Sequence, residues 1–117
     1  MIIYTCITNG YDSISENNYY DPDVRYVCFY DGKLEKKGPW EFIKLNLDIE
    51  CPVRRSYHPK HLPHHYFDEG ALTVWVDGCY VLTKEFTEFS KEIFLEHDFC
   101  LQKHPDQRSL LAEFSKL

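Results

Sequence analysis

At 117 residues the chain has material for one domain, spanning 1–117. With 44% hydrophobic and 16% aromatic residues it can build a core, which argues against disorder. The 19 acidic residues outnumber the 13 basic ones for a formal charge of −6, which argues against nucleic acid as the main partner, because phosphate backbones select basic surfaces.

Ile2 to Thr8 is apolar and β-branched on both faces, the pattern of a central strand, and Asn9-Gly10 closes it with a turn signal. Tyr11 to Asp23 is polar and reads as a loop. Arg25 to Tyr30 is a second strand ended by Asp31-Gly32, and Trp40 to Leu47 alternates as a third. Asp48 to Gly70 carries Pro52, Pro59 and Pro63, which argue against a long helix and leave room for one short helical piece around His61 to Phe67. A loop of that length in a small domain points to function or to a lid. Leu72 to Val76 and Tyr80 to Leu82 read as short strands. Thr83 is placed as an N-cap, with Glu85 in the first turn of a helix that carries Phe86, Phe89, Ile93 and Phe94 on one face. His97-Asp98 ends that helix. Phe99 to Lys103 reads as a last strand, and Pro105 opens a final helix with an apolar stripe of Leu110, Leu111, Phe114 and Leu117.

Strands alternating with helices predict an α/β fold with a mostly parallel sheet. The chain stops inside the last apolar stripe, so the expectation is a truncated domain or one that finishes its core by association. No apolar run reaches membrane-spanning length. Met1 leads straight into a strand without a basic leader, so the expected compartment is cytoplasmic. Five cysteines without a CxxC pair fit reduced thiols. Cys6, Cys28, Cys79 and Cys100 fall in apolar runs and are expected to be buried, whereas Cys51 falls in a loop.

The chemistry concentrates in three places. Asp77-Gly78 interrupts the apolar run Thr73 to Leu82. A lone carboxylate inside a buried strand is costly, so the strand should end there. An acid at a strand end beside a glycine suits a divalent cation and a phosphate-bearing ligand. Asp31 and the Asn9 to Asp12 stretch also follow strands, so a parallel sheet would bring Thr8, Asp31 and Asp77 to one edge. Ordinary turn chemistry is the competing explanation for each. Arg54, Arg55 and Lys60 form the one concentrated basic cluster and offer diphosphate contacts. His58, His61, His64 and His65, with Cys51 nearby, also invite a zinc reading, although no second ligand pair repeats the spacing.

Five blocks occur in order: Ile3 to Asp12, Tyr26 to Asp31, Arg54-Arg55 with Lys60 and His64, Thr73 to Leu82, and Lys103-His104-Pro105. Together they resemble the glycosyltransferase-like domain family found in plant mucilage-related and bacterial proteins. The resemblance covers nearly the whole chain and implies a GT-A-like, Rossmann-like nucleotide-sugar fold. It implies a glycosyltransferase that takes a sugar from a nucleotide-diphosphate donor, a UDP-sugar first among them, to a glycan or other acceptor. It implies donor contacts from Thr8, Tyr11, Asp12, Asp31, Arg55, Lys60, His64, Asp77 and Gly78, with Tyr11 stacking on the base and Asp12 or Asp31 accepting from base or ribose. Mn or Mg would be held by Asp77 and His104. His104 and Asp106 are the leading candidates, with Glu69, for the base that deprotonates the acceptor. Lys103-His104-Pro105 with Arg108 matches the family's closing motif. GT-A enzymes at large carry Asp-x-Asp where this chain has Asp77-Gly78-Cys79, so the second carboxylate is missing, although the resembling family itself favours Asp-Gly. The rival expectation is a non-catalytic GT-A-like binding domain or a donor-binding fragment.

Overall fold

The computed structural model describes residues 1–17 and 19–101. Four strands form one sheet: β1 (Ile2–Ile7), β2 (Arg25–Tyr30), β3 (Glu41–Lys44) and β4 (Thr73–Trp75). Their order is β3-β2-β1-β4 and every pairing is parallel. This is the order and sense of the first four strands of a Rossmann-like sheet. The first two strands are buried on both faces, as their continuous apolar sequences require. β1 pairs with β2 from Ile2↔Arg25 to Ile7↔Tyr30 and with β4 from Ile2↔Thr73 to Tyr4↔Trp75.

Side-chain alternation splits the core in two. Ile3, Ile7, Tyr26, Cys28, Val76 and Trp40 fill one face, where Ile14 and Leu82 also pack. Tyr4, Val27 and Phe29 fill the other with Leu45 and Phe67, and Tyr66 and Trp75 pack against them. On this second face the rings meet edge-on: Tyr4 lies 5.3 Å from Phe67 and 5.3 Å from Trp75 between centroids.

α1 (Pro52–His61) crosses the second face, followed by a 3₁₀ turn at Pro63–His65. The helix departs from the loop expected there, and its prolines explain how it is tolerated. Pro52 occupies the first helical turn, where no N–H is needed. Pro59 is buried near the helix's end and forgoes only one backbone bond. α1 starts near the carboxyl end of β1, where the Thr8 hydroxyl donates to the Pro52 carbonyl at 2.8 Å. It runs back until the Tyr4 hydroxyl donates to the Lys60 carbonyl at 3.1 Å.

α2 (Lys84–Glu96) begins where expected, with the Phe86 amide donating to the Thr83 hydroxyl at 3.1 Å. It turns Thr87 and Ser90 inward, while Phe89 stays exposed, so the apolar stripe is only partly used. The Lys91 ammonium donates to Asp21 at 2.6 Å and ties the helix to the β1–β2 loop. Two strand expectations fail. Tyr80 to Leu82 forms no ladder, because Tyr80 turns back to the Asp77 carbonyl and Leu82 bonds to a side chain. Phe99 to Leu101 is exposed and unpaired by any ladder, and the rest of that expected strand and the final helix lie outside the described residues.

Candidate functional site

A parallel sheet collects the carboxyl ends of its strands on one edge, and here Thr8, Asp31 and Asp77 follow β1, β2 and β4 along it. Strand order reverses between β1 and β4, which is where open α/β sheets form a crevice for ligands. The two loops that bound this crevice are Thr8 to Asn17 and Asp77 to Leu82.

The β1–β2 side is locked by its own residues. Asn9 and Gly10 both take left-handed backbone, at φ +56° and +61°. That turn aims the Asn9 amide at the Asp31 carboxylate, 2.5 Å away. Arg55 Nε donates to the other Asp31 oxygen at 2.6 Å, and its Nη1 donates to the Ile49 and Glu50 carbonyls, each at 2.8 Å. Thr8 spends its hydroxyl on Pro52. So Thr8, Asp31 and Arg55 are brought together, but as a bracket that joins β1, β2 and α1.

The β4 side is more open. Asp77 is exposed, and the Trp75 indole N–H donates to it at 3.1 Å, which orients the carboxylate at the end of β4. Gly78 is buried: a Cβ there would lie 3.1 Å from two carbons of Ile7 and 3.6 Å from the Asp12 Cβ. A side chain there would require Ile7 to shift by a few tenths of an ångström, so glycine lets the turn after β4 lie this close to β1 without strain. Tyr11 stands at the mouth, 89% exposed.

Lys60 and His64 make other contacts. The Lys60 ammonium lies 5.3 Å from the Trp75 ring and 5.9 Å from the Tyr57 ring. His64 packs on His65, and His58 shares a 2.6 Å hydrogen bond with the Tyr66 hydroxyl. Among the described residues no three His, Cys, Asp or Glu side chains converge as a metal site, so the loop histidines and Cys51 do not assemble the zinc cage considered above. His104 and Asp106 lie outside the described residues.

The thiols divide differently from expectation. Cys28 is buried and Cys6 half-buried, whereas Cys79 and Cys100 are exposed because neither belongs to a strand. Burial pushes the Cys28 thiol up to about 12, and burial with smaller contributions from Cys28 and Asp31 does the same to Cys6. Exposed Cys51 precedes α1. No hydrogen bond of ordinary geometry caps the helix, yet the Arg54 and Val53 amides near its sulfur hold the thiol below the usual cysteine range.

Sequence reasoning missed the partners: Trp75 for Asp77, and Ser15 and Asn17 for the segment after Gly78. The Trp75–Asp77 spacing of two was a usable signal, since strand residues two apart share a face. Comparison with protein-family models, with curated proteins and with solved structures found no match. The chain is therefore defined by its fold: a small α/β domain with an all-parallel sheet in the order 3-2-1-4.

Proposed function

We propose that this domain binds a nucleotide-diphosphate sugar at the carboxyl edge of its sheet and serves a glycosyltransferase that passes the sugar to a glycan or other acceptor. One observation carries the reading: the reversal of strand order between β1 and β4 sets the Asn9–Asp12 loop against the Asp77–Gly78 turn. Exposed Tyr11 offers a ring to a base, and Asp77 offers an oriented carboxylate. Arg55 is already neutralised by Asp31, so a diphosphate entering beside Asp12 and Asp77 meets negative charge. A divalent cation resolves that conflict. Mg or Mn needs only one or two protein carboxylates when phosphate oxygens and water complete its shell, and Asp77 fits that role. Among the described residues no helix is long and apolar enough to cross a membrane.

The commitment of Arg55 and Asp31 to each other favours a second reading, a non-catalytic binding domain of the same fold. Thermal unfolding with UDP, GDP and their sugars, with and without Mn, tests both. The donor reading expects a nucleoside diphosphate to stabilise the protein by about 2.7 kcal/mol at a hundred times its Kd, and more with metal than without. Asp77→Asn keeps the size and should abolish the metal-dependent part. An unchanged metal-dependent shift in Asp77→Asn makes Asp77 a turn residue and ends the donor reading. No shift with any nucleotide leaves the non-catalytic reading.

A further inference from the structure

The crevice between β1 and β4 is occupied by the protein's own chain. Ile14 is buried in it, and Ile14 and Ser15 line it together with Thr5, Trp40, Val76, Asp77, Gly78 and Tyr80. The space left between them is too narrow for a water molecule. Two hydrogen bonds hold the segment down: Ser15 Oγ donates to the Cys79 carbonyl at 3.0 Å, and the Leu82 amide donates to Asn17 Oδ1 at 2.7 Å.

This closure leaves two polar groups stranded. Thr5 is 1% exposed, and its hydroxyl has no hydrogen-bond partner. The Asn17 amide nitrogen is buried without a partner too. Unpaired buried polar atoms are rare and destabilise the state that buries them. Thr5 lines the same narrow space as Ile14 and Ser15, so lifting that segment would open the Thr5 side to water.

We propose that residues 11–17 are a displaceable plug, and that the site opens when Ile14 and Ser15 lift out of the crevice and uncover Thr5. The left-handed pair Asn9 and Gly10 lies at the root of the segment. The closed form then competes with ligand for the same space, and apparent affinity is the open form's affinity scaled down to the fraction of molecules that are open. The ligand arm of the test rests on the nucleotide reading above; the exchange arm does not.

Amide hydrogen exchange reads the plug directly. The Leu82 amide, protected by Asn17, should exchange at least tenfold faster than the amides of Val27 and Phe29 and be insensitive to low urea, because it opens locally. Ser15→Ala removes a closing bond and should speed Leu82 exchange severalfold without changing β2. Thr5→Val keeps the shape, removes the stranded hydroxyl and should slow it. Leu82 exchange that tracks global unfolding, or a Thr5→Val variant that exchanges no more slowly than the parent, overturns the plug. With UDP and Mn as the probe, Ser15→Ala should raise affinity by the same factor as it speeds exchange. Equal affinity in parent and variant overturns the coupling between plug and ligand. No binding by either protein counts against the nucleotide reading, and the exchange result still decides the plug.

Discussion

Asp31 and Arg55 were legible as chemically interesting residues but not as partners of one another. They lie on different elements, and nothing in local sequence reports that α1 begins beside the end of β2. Their side chains are 18% and 20% exposed, so their pair sits between a surface salt bridge, worth little, and a buried one, whose rupture strands a charge. Asp31→Asn should cost about 2 kcal/mol in urea unfolding, because it weakens acceptance from the Asn9 amide as well as from Arg55. A double-mutant cycle with Arg55→Ala should give a coupling of about 1 kcal/mol or more. Additive losses would mean that the two residues act independently, and would free Arg55 for a ligand phosphate.

At the scale of elements, strands with continuous apolar sequence were readable and elements set by tertiary context were not. β2 falls where its sequence placed it, because four consecutive residues, Tyr26 to Phe29, buried on two faces leave few alternatives. The prolines of 52–63 argued for a loop. The helix forms anyway, because Pro52 needs no donor and Pro59 packs under the last turn. The apparent strand at Tyr80 was a misreading of apolar residues that serve a turn. Gly78 is the decisive residue there, and its requirement is steric. Gly78→Ala should destabilise by about 1–3 kcal/mol, since its Cβ meets Ile7, itself 2% exposed, at 3.1 Å. Ile7→Val, which deletes one of the two clashing carbons, should recover part of that loss in the double variant. A neutral Gly78→Ala would show that the turn can lift off β1.

For the molecule as a whole, the fold class and parallel sense of the sheet could be argued from alternating elements; the strand order could not, because order is fixed by crossovers that leave no local trace. The buried interior sets an alkaline limit. Cys28 and Cys6 are raised from 9.0 to about 12, and burial raises the Tyr4 phenol from 10.0 to about 12. All three are held protonated in the folded state above their ordinary values, so their contribution is intact below about pH 9 and is lost as the unfolded chain ionises first. Urea unfolding followed from pH 8 to 12 should show stability falling above about 9, by about 1.4 kcal/mol per pH unit for each group that titrates only in the unfolded chain. Cys28→Ala should lower stability at neutral pH yet flatten this slope by one proton. An unchanged slope would mean that Cys28 ionises alike in both states.

The position of β1 has a consequence for how the protein is made. It precedes both of its partners, β2 and β4, in the chain. A ribosome delivers Ile2 to Ile7 long before Thr73 to Trp75 exist, and the strand's second flank stays unpaired until β4 has been made. A parallel ladder closed over so long a stretch of chain is slow to form. The nascent chain therefore carries an apolar strand with one open side during its own synthesis, and slow elongation or low temperature would bear on yield through that interval rather than through the finished fold.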